Sequence, residues 1–224
     1  MNDARDRESR VCAVTANWNG LDDTIECVES LLAQTHPLTR IIVVDNVSQG
    51  RDDDRLMEIF GTAYTVRNKS TNLSCAGGYN TGIDYALSHF APDYILAINN
   101  DVVADPKMVA EMVGAAGGDP RVGIIGARIY YYDWHGSKDI IWSAGGTIHR
   151  WGLKLHRQRG DGAADGPEFD EPCNLDWASG AAVLLTPAAL RDGGYFNTWY
   201  FIGHEDVELC LKASAAGHRI IYAP

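Results

Sequence analysis

Two phosphate-binding fingerprints are missing from this sequence: no GxGxxG follows an apolar run, and no GxxxxGK[ST] occurs anywhere. A dinucleotide-binding Rossmann domain and a P-loop nucleotidase are therefore unsupported. Positive charge is scarce too. Nineteen Lys and Arg against 30 Asp and Glu leave a formal charge of -11, with a pI near 4.9. No extended basic surface can be built from this, which argues against nucleic acid as a partner. Any polyanionic ligand would need a metal ion, local cations or helix N-termini to reverse the field around it. The five cysteines form no CxxC pair, as expected of unpaired thiols in a reducing compartment. The first ten residues are charged and polar, without the apolar stretch of a secretory signal. No apolar run approaches the roughly 20 residues that span a bilayer. The expected location is cytoplasmic, with peripheral association at the inner face of the membrane left open.

What is present is an alternation. Residues 1–10 read as a polar N-terminal extension, and 11–224 as one domain with a sizeable core. Continuous apolar runs at 11–15, 41–44 and 94–98 have the character of parallel strands buried on both faces. Shorter strands are expected at 63–66, 122–125, 181–185 and 218–222. Helical spacing links Ile25, Val28, Leu31 and Leu32, and further helices are expected at 51–60, 76–90, 106–116, 187–191 and 206–216. The result is an α/β fold with a mainly parallel central sheet and helices on both faces. Residues 130–146 suggest short twisted strands or hairpins. Residues 160–172, rich in Gly, Asp and Pro, read as a mobile loop.

Open α/β sheets place ligands beyond the carboxyl ends of their strands. Three strands end in polar groups there: Asn17 with Asn19, Asp45 with Asn46, and Asn99-Asn100-Asp101. Turn capping explains any one cluster, but explains the set of three less well. A carboxylate such as Asp101 can hold Mg²⁺ or Mn²⁺ while phosphate oxygens fill other positions. Ala76-Gly77-Gly78 opens a helix, so its amides could meet a phosphate or a sugar hydroxyl, although two glycines also suit a tight turn. Glu205 and Asp206, beside His204, can supply a base or a partner for a hydroxyl. Trp177 could be a sugar platform or a core residue. The sequence leaves both open.

In chain order, Asn17-Trp18-Asn19-Gly20, Ile41 to Asn46, Ala76 to Gly82, Asn99-Asn100-Asp101, Trp177 to Ala181 and His204 to Leu209 together resemble glycosyltransferase family 2. This is the large inverting group with the GT-A fold, and the likeness is nearest to its rhamnosyltransferase-like and galactofuranosyltransferase-like members. It runs from about 11 to 224. The resemblance implies transfer of a hexosyl group from a nucleoside-diphosphate sugar (UDP- or dTDP-linked) to a saccharide or lipid-linked saccharide acceptor. Cell-surface polysaccharide assembly is the implied setting.

The resemblance also implies roles. Asp101 would bind the metal, and Asp45 the base or ribose. Asn17 and Asn100 would lie at the donor, with Ala76, Gly77 and Gly78 beside it and Ser179, Gly180 and Ala181 at the transferred sugar. Asp206 would be the general base with Glu205 as its neighbour, while Trp177 and His204 would line the acceptor or sugar pocket. The sequence departs from the family pattern at Asn72-Leu73-Ser74-Cys75, at Gln49 and at Lys212. It is also expected to lack a C-terminal segment carrying a metal-binding His. The rival reading is a catalytically weak nucleotide-sugar-binding domain.

Overall fold

The computed structural model describes residues 8–61, 65–67, 71–148 and 156–224. Most of the expected N-terminal extension, and Ala63 and Tyr64 of the strand expected at 63–66, lie outside the described residues. The first half of the chain alternates β1 (Val11–Asn17), α1 (Leu21–Leu32), β2 (Leu38–Asp45), α2 (Asp52–Phe60), β3 (Thr65–Arg67), α3 (Ser74–Phe90), β4 (Tyr94–Ile98) and α4 (Met108–Ala116). Short strands follow as β5 (Val122–Ala127), β6 (Ile129–Tyr130), β7 (Ile141–Ser143), β8 (Gly146–Ile148), β9 (His156–Gln158) and β10 (Cys173–Leu175). The chain then forms β11 (Ala182–Leu185), α5 (Pro187–Gly193), α6 (Glu205–Ala215) and β12 (Arg219–Ala223).

Eight strands make one sheet in the order β10-β12-β5-β11-β4-β1-β2-β3. The strands of the alternating half, with β5 and β12, share one direction, so the sheet is mainly parallel as expected. Two reversed strands make it mixed: β11 runs antiparallel between β4 and β5, and β10 antiparallel on β12. The two small hairpins, β6-β7 and β8-β9, stand outside it.

Strand periodicity divides the interior into two cores. Cys12, Val14, Ile42, Val44, Ile95 and Ala97 face a layer containing Tyr79 and Ile83 of α3 and Leu209 and Ala213 of α6. Val11, Ala13, Ile41, Val43, Leu96 and Ile98 face Val28 and Leu31 of α1 and Val109 and Met112 of α4. Successive side chains point to opposite faces, and both faces are covered, so every residue of the run must be apolar. Each fully buried Val, Leu or Ile stabilises by about 1.5–3 kcal/mol.

Helix α3 lies close against β1 and β2 because two of its glycines face them. A Cβ on Gly78 would stand 2.7 Å from Ala16 Cβ and 2.9 Å from Asn46 Nδ2, and one on Gly82 would overlap Val14. At the other end of the molecule Thr186 caps α5, its Oγ1 accepting from Ala189 N–H at 3.1 Å, with Pro187 in the first turn. Pro106 precedes α4, in the turn before Met108.

The segment 160–172 is pinned, contrary to the mobile loop expected from its composition. Arg128 Nη1 donates to Asp165 at 2.7 Å and Nη2 to Asp170 at 2.9 Å. Phe169 is buried beneath the Arg159 guanidinium, 4.8 Å from its ring centre. Among the described residues no helix is long and apolar enough to cross a membrane.

Candidate functional site

The carboxyl ends of β1, β2 and β4 adjoin because the strands pair in register, Asn17 opposite Asp45 and Val14 opposite Ala97. Asn17 is fully buried and works as a hub. Its Nδ2 lies 2.9 Å from Asp45 Oδ1, 3.1 Å from Ser48 Oγ and 3.1 Å from Asp52 Oδ2. Its Oδ1 accepts from Thr24 Oγ1 at 2.9 Å and from Gly20 N–H at 3.2 Å. With no exposed atom, Asn17 acts by holding its neighbours in place. Asp45 is nearly as buried, and it accepts from Ser48 Oγ at 2.6 Å and Ser48 N–H at 3.1 Å.

Asn100 joins this network through Thr24, with Nδ2 donating to Oγ1 at 3.0 Å. Gly20 makes room for it, since a Cβ there would approach Nδ2 to 2.8 Å. Thr24, Ser48 and Asp52 are site residues that sequence reasoning misses. Each completes a hydrogen bond over tertiary distance, and only Ser48 sits close enough to a motif to be guessed. Asn99 turns inward instead. Tyr79 Oη donates to its Oδ1 at 2.6 Å, and its own N–H donates to the Ala181 carbonyl at 2.9 Å. Asp101 is exposed at the strand end.

The second group of acids arrives from α6. Gly180 N–H donates to Asp206 Oδ2 at 2.8 Å, and Val207 N–H to Oδ1 at 2.7 Å, so the carboxylate is oriented through both oxygens. Gly180 has little room for a side chain, because a Cβ would stand 3.2 Å from Asp206 Cβ. Ser179 Oγ, itself buried, accepts from Ala181 N–H at 3.2 Å. Glu205 Oε2 is buried with no hydrogen-bond partner. Burial, and then the adjacent charge of Asp206, raise the Glu205 pKa above the ordinary carboxylate value. His204 stands exposed at the rim in the left-handed conformation, φ 71°, and its carbonyl accepts from Glu208 N–H.

Cys75, in the first turn of α3, is half-buried, with its Sγ 4.0 Å from Asn99 Oδ1. Burial pushes its thiol up to about 11, and the charges of Glu205, Asp101 and Asp206 add to the rise against an opposing hydrogen bond from Tyr79. The end of β4 and the start of α6, far apart in sequence, are linked through the entry to β11, where the Ala181 carbonyl accepts from Asn99 N–H at 2.9 Å and Gly180 N–H donates to Asp206 Oδ2 at 2.8 Å. Cys75 stands out in the sequence only as a departure from the family pattern.

One sequence-based assignment changes. Trp177 is 5% exposed and packed in the core, with its indole ring flush against Gly146, so neither face is open to a sugar. Ala76, Gly77 and Gly78 are buried, and Gly78 lies close against Ala16 and Asn46. Beside Asp101 lies a cavity of about 520 Å³ whose walls include Asn99, Ala181, Tyr131, Lys138 and Trp142.

Among the described residues no three His, Cys, Asp or Glu side chains lie close enough to hold a metal ion alone. A hard divalent cation can still be held by one carboxylate together with ligand phosphates and water. Asp101, exposed and at the mouth of a cavity, fits that mode.

A mixed α/β sheet flanked by helices, with its polar strand ends gathered at one edge, defines a GT-A-like domain. The profile of Glycosyl transferase family 2 matches residues 12–163, and the chain belongs to that family. It is 30% identical over 208 residues to uncharacterized protein y4gI of Sinorhizobium fredii, covering 88% of this chain and 22% of that protein. It is 26% identical over 202 residues to O-antigen biosynthesis protein RfbC of Myxococcus xanthus, covering 87% of this chain and 15% of that one. The chain thus spans less than a quarter of each of these relatives. The fold is similar to that of mannosyltransferase PcManGT from Pyrobaculum calidifontis in complex with GDP-Man and Mn²⁺, with a TM-score of 0.63 and 17% identity over 98% of this chain and 56% of that one. GalNAc-T7 with UDP, GalNAc and Mn²⁺ aligns with a TM-score of 0.74 and 16% identity over 98% of this chain and 43% of that one.

Proposed function

We propose that this domain transfers a hexosyl group from a nucleoside-diphosphate sugar to an acceptor hydroxyl, with inversion at the anomeric carbon. The observation that carries it is the joining of the β4 end, Asn99-Asn100-Asp101, to Asp206 through residues 180 and 181, with Asp206 fixed by the Gly180 and Val207 amides. One end of the cleft, at Asn17, Asp45 and Asn100, is polar and held rigid by Thr24 and Ser48, and suits a base and ribose. Asp101 would hold a divalent metal, Mg²⁺ or Mn²⁺, which supplies charge to the departing diphosphate.

Asp206 takes the proton of the attacking hydroxyl. Its two backbone donors leave further lone pairs for that hydroxyl and fix the direction in which they point. Glu205, crowded by burial and by Asp206, orients the acceptor. Inversion needs no covalent sugar intermediate, and no side chain in the cleft has to act as a nucleophile. A UDP- or dTDP-linked donor of rhamnosyl or galactofuranosyl type, a saccharide or lipid-linked acceptor, and polysaccharide assembly at the cytoplasmic face of a membrane are the finer terms of the proposal. The family match and the relatedness to an O-antigen biosynthesis protein support them.

The test is thermal protection by UDP or dTDP with and without Mn²⁺, followed by release of the nucleotide from donor sugars. Metal-dependent protection with nucleotide release is expected. Protection without any release from a panel of donors and acceptors would favour the binding-domain reading.

A further inference from the structure

The donor reading accounts for only part of the cavity beside Asp101: it uses Asp101 and Ala181 but neither Trp142 nor Lys138. We propose that the cavity is the acceptor subsite, and that it takes a neutral saccharide ring stacked against aromatic side chains. This rests on the transferase reading, because Asp101 and Ala181 are shared between the cavity and the proposed donor site.

The wall is aromatic by construction. In β7 Ile141 and Ser143 are fully buried while Trp142 is half-buried, so the alternation of the strand turns the indole toward the cavity. Tyr131 and Tyr132 stand on the same wall, and their hydroxyls are tethered, to Asp161 at 2.8 Å and to Glu26 at 3.0 Å. Rings held in this way lose little freedom when a ligand arrives. The C–H face of a pyranose is apolar and electropositive, and it stacks on the negative face of an aromatic ring while its hydroxyls point outward.

Polar groups for those hydroxyls are present. Lys138 lines the cavity and has no hydrogen-bond or ion-pair partner among the described residues, whereas Arg128 is committed to Asp165 and Asp170. At about 520 Å³ the space falls within the roughly 300–1,000 Å³ typical of small-ligand sites. Position favours an acceptor over the donor. Ala181 on the cavity wall follows Gly180, whose N–H holds Asp206 Oδ2 at 2.8 Å, so the wall lies one residue from the group that holds the proposed base. Asn17, Asp45 and Asn100, where the base and ribose are proposed to sit, do not line the cavity.

Saturation-transfer NMR with the methyl glycosides of galactose, mannose, glucose and rhamnose, at millimolar concentration with UDP and Mn²⁺ present, tests this. At least one glycoside should bind. Trp142→Ala should weaken it roughly tenfold or more, Trp142→Phe should retain most of the affinity, and UDP protection should be unchanged in both. Lys138→Ala, a surface change without structural cost, should weaken glycoside binding several-fold. Unaltered glycoside binding in Trp142→Ala and Lys138→Ala would overturn the assignment. So would a parallel loss of UDP affinity in Lys138→Ala or Trp142→Phe, which would give the cavity to the donor, or failure of every glycoside to bind a wild-type chain that does bind UDP. If UDP itself does not bind but glycosides do, and Trp142→Ala removes them, the subsite stands and the transferase reading falls.

Discussion

Replacing Gly82 and Gly114 by alanine makes the same chemical change in two helices, and the structure requires opposite results. In a helix interior alanine is favoured over glycine by about 0.8–1.0 kcal/mol, because glycine has more freedom to lose on folding. At Gly114, in α4, nothing lies within 4 Å of the added Cβ, so up to ~1 kcal/mol of stabilisation should appear. At Gly82 the Cβ would overlap Val14 Cγ1 and stand 3.1 Å from Val44 Cγ2. Both valines are fully buried and belong to the sheet, and a β-branched side chain in a packed strand has no other comfortable rotamer. Separating α3 from β1 then costs about 1–3 kcal/mol as overpacking. Net of the propensity gain, Gly82→Ala should destabilise by up to ~2 kcal/mol. For a domain of this size that is a melting temperature up to roughly 8 °C lower, against up to about 4 °C higher for Gly114→Ala. Thermal unfolding followed by circular dichroism, with urea midpoints as a second measure, distinguishes the two. If both variants melt higher than the parent, α3 has room to spare and the packing argument is wrong.

Three further outcomes concern the site. Asp101→Ala and Asp101→Asn should each lose most of the Mn²⁺-dependent part of UDP protection, since a neutral amide cannot balance a divalent charge; protection with and without Mn²⁺ measures it. Asp206→Asn should lower turnover by roughly 10²–10⁴-fold with UDP affinity little changed, and because the NH₂ that replaces one carboxylate oxygen cannot accept, the bond from either Gly180 or Val207 is lost, with a stability loss of about 1 kcal/mol. Near-normal turnover would remove the base assignment. Glu205→Gln should melt higher than the parent at neutral pH and no higher below the ordinary carboxylate value of 4.5. The raised folded-state pKa means that the native chain holds this proton after the unfolded chain has lost it, so the glutamate weakens the fold as pH climbs above 4.5. Thermal scans across that range check the sign.

The strand ends are legible because burial on both faces demands unbroken apolar runs, so Asn17, Asp45 and Asp101 each stand out where a run stops. The hub around Asn17 is not. Thr24, Ser48 and Asp52 are ordinary turn and helix-start residues by local pattern, and only their convergence on Asn17 and Asp45 makes them a network. Composition misleads at 160–172, where Gly, Asp and Pro mark a loop but cannot reveal that Arg128 holds it through Asp165 and Asp170. The two glycines at 77 and 78 read as a turn or as amides for a ligand, and the sequence does not reveal that Gly78 and Gly82, one turn apart, form the face that meets the sheet. Trp177 shows the same ambiguity: a tryptophan before a strand has one sequence signature whether its ring is buried or open.

The central strand that breaks the parallel run is also the one that makes the site. In parallel neighbours all carboxyl ends lie at one edge and all amino ends at the other, so a residue entering a parallel strand could never stand beside residues leaving one. β11 runs antiparallel to β4, with Ala182 opposite Ile98. Residues 179–181, on their way into β11, therefore sit next to Asn99-Asn100-Asp101 on their way out of β4, and the bond from Asn99 N–H to the Ala181 carbonyl closes the pair at 2.9 Å. Gly180 is then in place to hold Asp206, and Tyr79 to reach Asn99 Oδ1 from below. Reversal of one central strand ties the end of β4, which carries the proposed metal carboxylate Asp101, to the proposed base Asp206 through residues 180 and 181, although the first half of the chain supplies one and the last helix the other. It also explains why the base can be carried by the first turn of a helix: α6 needs only to lay its N-terminus over the entry to β11, and Gly180 does the aligning.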